Sequence, residues 1–398
     1  MICITDNEKN NCCGCTACTN ICPQQAIKMV EDFEGFSYPQ VDAQKCVNCG
    51  LCDKVCPISN KSNKNNIELE EAYSLRCKNR EVLKSSTSGG FFTPLAEYVI
   101  NKNGIVYGVG FDKNLKVCHK SAENKNDIQE FRGSKYVQSY LGEIFKNVKE
   151  NLNNSKLVLF SGTPCQVEGL KRFLMRDYDN LITVDLICHG TPSPKLWKKY
   201  VEFQEKRYNS KIMQVSFRNK TYGYHSGTMK LVFENGKVYY GSARVDYMLK
   251  SFFKEISSRP SCYNCKFKSK NHISDFTIYD CWSIEKLNAS IKDDDLGYTN
   301  IIVNSLKGKK ILDTIKNQFE IYPVELDKQI KYDGIMVEKS AVPNEKRAFY
   351  YLGLNENGIE KNVKTYINVT KKDYIIEKVK IILYKTKILN FLKKIRKK

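Results

Sequence analysis

Apolar residues recur with two different periods along this chain. Over Phe91–Asn101, and again over Pro194–Lys206, they return at the spacing of a helix with one buried face. Short apolar runs at Gly104–Gly110, Lys156–Phe160 and Leu181–Ile187 have the length of buried strands, and another strand falls near Ile301–Asn304, ahead of Gly308. In Lys230–Tyr240 alternating residues flank Phe233-Glu234-Asn235-Gly236-Lys237, where Asn-Gly predicts a hairpin. From Tyr73 onward the pattern predicts an α/β domain. Before it, Ser59 to Ala72 is polar and reads as a linker.

The end of the chain has its own pattern. From Asp373, the residues Ile375, Val379, Ile382, Leu389, Leu392 and Ile395 recur at roughly helical spacing among lysines. Residues 371–398 carry eleven Lys/Arg against two Asp/Glu, so much of the net charge of +20 is local. A basic amphipathic helix of this kind is a candidate for peripheral contact with an anionic membrane face or for a partner protein. A terminal helix docked on the chain's own core is the plainer reading. The basic surface suits anionic partners, among them an acidic electron carrier such as ferredoxin. No basic stripe with interleaved aromatics points to nucleic acid. No apolar run approaches the ~18 residues that span a bilayer.

Cysteine changes the picture most. The chain of 398 residues holds 17 cysteines. Met1 to Asn11 is polar and lacks the apolar run of a secretory signal. The expectation is therefore a cytoplasmic protein whose thiolates bind metal, not a disulfide scaffold. Cys12-x2-Cys15-x2-Cys18-x3-Cys22-Pro23 is matched by Cys46-x2-Cys49-x2-Cys52-x3-Cys56-Pro57, the repeated run of bacterial two-cluster ferredoxins. Three thiolates on a tight loop wrap one cubane, and the fourth reaches the other. One 4Fe–4S cluster would take Cys12, Cys15, Cys18 and Cys56, the other Cys46, Cys49, Cys52 and Cys22. Paired zinc sites fit this spacing less well. Cys3 and Cys13 fall outside the pattern, and Cys13 reads as a bystander.

Further along, small residues precede a helix at Ser85–Phe92, which is one way to cradle a phosphate and equally a capped helix. Val158-Leu159-Phe160 runs into Ser161-Gly162-Thr163-Pro164-Cys165, and Thr183–Ile187 runs into Cys188-His189-Gly190. Two strands thus end in cysteine turns, at the sheet edge where open α/β folds bind ligands. Cys262-x2-Cys265 adds a chelating pair. Cys165, Cys188, Cys262 and Cys265 could hold a third cubane. Half a zinc site, a Cys165 nucleophile with His189 as base, or plain buried thiols remain open on the residues alone.

Taken together, SSTSGGFF (Ser85–Phe92), RGSKYVQS (Arg132–Ser139), LFSGTPCQVEGLK (Leu159–Lys171), DLICHGTPSP (Asp185–Pro194), FRNKTYGYHSG (Phe217–Gly227), RPSCYNCKF (Arg259–Phe267) and SDFTIYDCW (Ser274–Trp282) resemble the family of coenzyme F420 hydrogenase/dehydrogenase beta subunits. The resemblance implies an α+β protein: a two-cluster ferredoxin-like module at 1–58, a linker at 59–72, a larger α/β FAD-binding domain at 73–330, and an extension at 331–398 ending in the basic helix. It implies an iron–sulfur flavoprotein oxidoreductase. Electrons would pass between a ferredoxin-type carrier and an organic substrate through the clusters and FAD.

Carried over by position, Ser88, Gly89 and Gly90 would meet the flavin's phosphate or ribityl part. Lys135, Tyr136, Gln138 and Ser139 would line it, and Gly162 and Thr163 would approach its rings. Cys165, Cys188, Cys262 and Cys265 would hold the cluster nearest the flavin. His189 and His225 are the histidines placed to act near flavin or substrate. Lone family members in anaerobic bacteria suggest a polysaccharide-related reduction; reaction with a deazaflavin coenzyme, or service as an electron-transfer subunit without its own substrate, are the other readings. One stretch departs from the family: its Gly-Asp-Phe-Trp-Gly is Tyr279-Asp280-Cys281-Trp282-Ser283 here. That departure makes Cys281 either a substitute ligand or a small apolar filler.

Overall fold

The computed structural model describes residues 6–59, 69, 71–386 and 388. Cys3, most of the 59–72 linker, and Leu389, Leu392 and Ile395 of the tail lie outside them. Contacts divide the chain into two compact units. The first comprises 1–132, 137–194 and 258–342; the second comprises 133–136, 195–257 and 343–398.

The first unit opens with a two-stranded antiparallel ribbon of β1 (Ile27–Glu31) and β2 (Ser37–Val41). Its main body is an eight-stranded mixed sheet. In chain order the strands are β3 (Glu71–Cys77), β4 (Ile105–Phe111), β5 (Val117–Ala122), β6 (Val158–Gly162) and β7 (Leu181–Leu186). After the stretch assigned to the second unit, which holds β8 (Ile212–Asn219), β9 (Thr228–Phe233) and β10 (Val238–Ser242), the sheet resumes. Its last strands are β11 (Phe276–Cys281), β12 (Tyr298–Val303) and β13 (Phe319–Val324). The spatial order is β13-β3-β12-β11-β7-β6-β4-β5, with β4, β6, β7 and β11 mutually parallel at the centre.

Strand period explains the two apolar layers. Val106, Leu159, Ile182 and Phe276 face one side, packed with Phe91, Leu95 and Val99 of the helix Phe92–Ile100 and its entry. Ile105, Tyr107, Val158, Phe160 and Leu181 face the other, packed with Phe145 and Val148 of the helix Ile144–Asn153 and Val167 and Leu170 of the helix Pro164–Leu174. Cys15, Ala17 and Val55 of the cysteine-rich module belong to this second layer. The module thus shares this buried layer with the sheet. Its size explains why: so short a segment has little apolar surface to bury by itself.

Beneath the second layer runs a neutral hydrogen-bond chain. His119 Nε2 meets Ser161 O at 3.1 Å, Ser139 Oγ meets His119 Nδ1 at 3.0 Å, and Gln166 Nε2 donates to Ser139 Oγ at 3.0 Å. Gln166 Oε1 then accepts from the Thr163 N–H at 3.0 Å, fixing the start of the helix Pro164–Leu174. Burial depresses the His119 imidazole to about 4, so it stays neutral and stacks on Phe160.

The second unit has the antiparallel sheet β10-β9-β8 and the helices Pro194–Tyr208, Tyr247–Phe253, Arg347–Tyr366 and Lys371–Lys385. The Tyr200 and Tyr239 hydroxyls converge on Asp246, whose buried carboxyl is pushed up to about 6. The last helix docks by its polar side. Glu377 is buried and accepts from Ser242 N and Oγ at 3.0 and 2.7 Å. Ile375, Val379 and Ile382 stand exposed. No described helix is long and apolar enough to cross a membrane.

Candidate electron-transfer site

The first cysteine run wraps because its backbone leaves the ordinary regions. Gly14 has φ +70° and Thr16 φ 65°, so Cys12, Cys15 and Cys18 turn toward one cavity. A side chain at residue 14 would strike Gln138 Nε2, 2.5 Å from the position of its Cβ. Cys56, from the second run, completes the lining. The second run repeats the device with Asn48 at φ 53° and Gly50 at φ 72°. Its Cys46, Cys49 and Cys52 share their cavity with Cys22, whose Sγ accepts from Ala26 N at 3.3 Å. Each cavity therefore takes three cysteines from one run and the fourth from the other.

A third cavity is lined by Cys165, Cys188, Cys262 and Cys265. Cys165 starts the helix Pro164–Leu174 directly after β6, where the helix dipole favours negative charge. Cys188 follows β7. Cys262 lies in the short turn Pro260–Asn264 and Cys265 ends it. Thr163 Oγ1 lies 3.2 Å from Cys165 Sγ and Thr191 Oγ1 lies 3.8 Å from Cys262 Sγ. Lys268 Nζ donates to the carbonyls of Cys188 at 2.6 Å and Met336 at 2.5 Å, placing a cation at the cavity wall. Burial raises the thiol pKa of Cys188, Cys262 and Cys265, the last to about 11; that of Cys165 is raised first by its interaction with the Cys13 thiol and then by burial. Such thiols ionise when a metal takes them.

The thiols line three cavities. Among the described residues no three of His, Cys, Asp and Glu form a group able to hold a single metal ion. A mononuclear zinc site needs sulfurs about 2.3 Å from one centre. A ring of thiols around a cavity suits a polynuclear cluster better.

Cys13 is not the bystander its place outside the spacing implied. It lines both the third cavity and the cavity of Cys12, Cys15 and Cys18. Its thiol pKa is raised, first by the neighbouring Cys15 thiol and against the effect of Cys165, so both sulfurs lie near it. Only the folded loop, pressed against the helix Pro164–Leu174, brings these sulfurs together.

His272 is likewise absent from the cysteine pattern. Its Nδ1 meets Asp185 Oδ2 at 2.7 Å, and the ring lines the third cavity. Burial works against its charged form, but the Asp185 carboxylate outweighs burial and raises its pKa. Of the two histidines expected near the chemistry, His189 is half-buried in the turn after β7, where its neighbours Cys188 and Gly190 line the cavity and it does not. His225 is exposed in the turn Tyr224–Ser226 of the second unit.

Most residues expected to touch a flavin have partners inside the fold. Ser88 Oγ and the Gly89 N–H both meet Thr299 Oγ1 at 2.8 Å. Gly90, at φ +82°, turns the chain into the next helix. Gln138 donates to Cys13 O at 3.2 Å and accepts from Arg259, and Ser139 and Thr163 belong to the His119 chain. Gly162 ends β6 against Gln166. Lys135 and Tyr136 lie in the second unit, where the Tyr136 ring stacks on Phe252 at 4.4 Å and its hydroxyl accepts from Arg218 at 3.0 Å. A flavin held by Gly89, Gln138 and Ser139 would have to displace these bonds.

Cys281 is an apolar filler. It is 2% exposed among Ile284, Leu287, Ile291 and Tyr298, and it does not line the third cavity. Cys281→Ala is expected to leave iron content unchanged and to cost roughly 1 kcal/mol of stability, read by iron analysis and denaturant unfolding.

Paired thiol-lined cavities packed on one face of a parallel-centred sheet point to an iron–sulfur electron-transfer protein. Residues 11–60 match the 4Fe-4S dicluster domain, and residues 155–329 match the C terminus of the coenzyme F420 hydrogenase/dehydrogenase beta subunit. Over 155–329 the chain thus resembles the C-terminal part of coenzyme F420 hydrogenase/dehydrogenase beta subunits, and over 11–60 it carries a dicluster domain. An uncharacterized protein of Methanocaldococcus jannaschii is 26% identical over 65% of this chain and 77% of that one. A subunit of the F(420)H(2) dehydrogenase of Methanosarcina mazei is 21% identical over 78% of this chain and 84% of its own length. The coenzyme F420-dependent sulfite reductase of Methanocaldococcus jannaschii is 26% identical over 85% of this chain but only 52% of that enzyme.

Proposed function

We propose that this chain is an electron-carrying subunit of an oxidoreductase linked to coenzyme F420. One observation carries the reading: three thiol-ringed cavities lie within one unit, and Cys13 lines two of them. Iron–sulfur clusters bound there would supply one-electron transfer. The protein's own part is to hold the thiols, to exclude water and to set the charge around them. The helix start at Cys165 and the Lys268 ammonium favour a negative group in the third cavity.

The relatives named for coenzyme F420 favour a deazaflavin partner over a polysaccharide-related substrate, and the dehydrogenase subunit among them favours work within a larger assembly. The half of the sulfite reductase that the chain does not span keeps sulfite chemistry out of the proposal.

The test is anaerobic purification followed by iron, sulfide and flavin analysis. It continues with an assay of reduced chain against oxidised deazaflavin, followed by the coenzyme's own absorbance. About twelve irons per chain, as three cubanes require, with bleaching of the deazaflavin supports the proposal. Released FAD would add a flavin to it. Iron near zero, or zinc in its place, would sink it. Full iron without bleaching would leave an electron carrier that relies on another protein to meet the coenzyme.

A further inference from the structure

Among the described residues Arg259 is the largest side chain that is essentially sealed from solvent, at 1% exposure. Its guanidinium spends its donors on neutral acceptors. Nε donates to Cys12 O at 2.7 Å, one Nη to Gln138 Oε1 at 3.0 Å, and the other to Ser37 O at 3.1 Å. It lies over the Tyr38 ring, 4.1 Å from the centroid, with Phe36 beyond at 5.5 Å. Among the described residues no carboxylate forms an ion pair with it. Guanidinium is always charged in proteins, and sealing such a charge without a counter-charge is costly.

The groups whose charge would favour it are mostly sulfurs. Nε is bonded to the Cys12 carbonyl, and the Cys262 N–H donates to the Arg259 carbonyl at 2.9 Å; charge on Cys12, Tyr38, Cys13 or Cys262 would favour the guanidinium. Cys12 belongs to the first cavity and Cys262 to the third. Arg259 itself lines neither cavity; it reaches the first through the Cys12 carbonyl, and none of its three acceptors lines the cavity of Cys22, Cys46, Cys49 and Cys52.

Thiolate-ligated cubanes are anionic and gain a further negative charge on reduction. Net local charge and hydrogen bonding are among the terms that set their potential. We propose that Arg259 is the fixed counter-ion of the cluster held by Cys12, Cys15, Cys18 and Cys56, raising its potential selectively, so that electrons entering the dicluster domain settle on the side facing the third cavity. The inference rests on the dicluster reading of these cysteines. Arg259 acts here as a positioning residue and an electrostatic one; it touches no reacting atom.

The test is a redox titration monitored by electron paramagnetic resonance on anaerobically purified full-length protein. Iron is measured first: absent iron in the wild type sinks the cluster reading itself and not the role of Arg259. Arg259→Met removes the charge. Gln138→Glu keeps the guanidinium and sets a carboxylate against it. Arg259→Lys keeps the charge and loses the fork.

In the first two variants the oxidised-to-reduced ratio of one cluster, at a fixed potential, is expected to rise about tenfold, which for one electron is ~59 mV. The other dicluster signal should stay in place, and Arg259→Lys should stay near wild type. Cluster loss in both neutralised variants with retention in Arg259→Lys also supports the proposal, because charge then decides. Unshifted potentials, an equal shift of both signals, or the same shift or cluster loss in all three variants overturns it.

Discussion

Replacing Cys188 with serine is expected to lower the iron of anaerobically purified protein from about twelve to about eight per chain, with the dicluster signals intact. The reason lies in how the third cavity is assembled. Cys165 and Cys188 come from the ends of neighbouring parallel strands, β6 and β7, and Cys262 and Cys265 from a turn some seventy residues later. None of these four takes part in the spacing of the first two runs. Losing one therefore removes a ligand from this cavity alone. Burial holds the free thiols protonated, so the cavity has no stake in ionised sulfur unless a cluster is present. Competing readings give different numbers. A zinc site would leave iron near eight in both proteins and release zinc. A Cys165 nucleophile, or unliganded thiols, would leave iron unchanged. Cys281→Ala is the matched control, since its sulfur sits in another apolar cluster.

Much of this site is legible in the sequence because its signals are local. The expected strand at Gly104–Gly110 is β4 at Ile105–Phe111, that at Leu181–Ile187 is β7 at Leu181–Leu186, and the helix at Phe91–Asn101 runs over Phe92–Ile100. The Asn235-Gly236 turn does join β9 to β10. Apolar periodicity reports which face is buried, and turn chemistry reports where the chain reverses; both need only a few neighbouring residues.

What stays hidden depends on distant partners. β3 pairs with β12 and β13, more than two hundred residues away. The family resemblance implies a domain over 73–330, and the contacts group its stretch 195–257 with 343–398 in a second unit. Periodicity has no term for either fact. The basic tail shows the same limit from the other side. Its apolar spacing is plain, but the face that docks is the polar one, through Glu377. Cys13 and His272 escape the sequence for one reason: each acquires its neighbours, Cys165 and Asp185, only when separate elements close. A second cysteine directly beside a ligand, with no place in the spacing, is the one available signal for Cys13.

Adding a single methyl group at Gly169 is expected to damage the cluster cavity nearest the sheet. Gly169 lies in the helix Pro164–Leu174, one turn beyond Cys165, and faces the cysteine loop. A Cβ there would sit 2.8 Å from Cys15 Cβ and 3.0 Å from Cys15 Sγ. Two effects compete in Gly169→Ala. Alanine in a helix interior gains up to about 1 kcal/mol over glycine. Against that, overpacking a close contact costs about 1–3 kcal/mol, and Cys15 cannot easily retreat, being buried among Ala17, Val167 and Phe145. The clash should win, and Gly169→Val should exceed it, since a branched side chain also loses rotamer freedom in a helix.

Both variants should lose stability to denaturant, lose iron from the cavity of Cys12, Cys15, Cys18 and Cys56 first, and weaken the magnetic coupling between reduced clusters. The matched reference is Gly50→Ala, where nothing lies within 4 Å of the added carbon and only the backbone strain of φ +72° is tested. If Gly169→Ala is more stable than the wild type and keeps its full iron, then the helix and the cysteine loop do not need this contact.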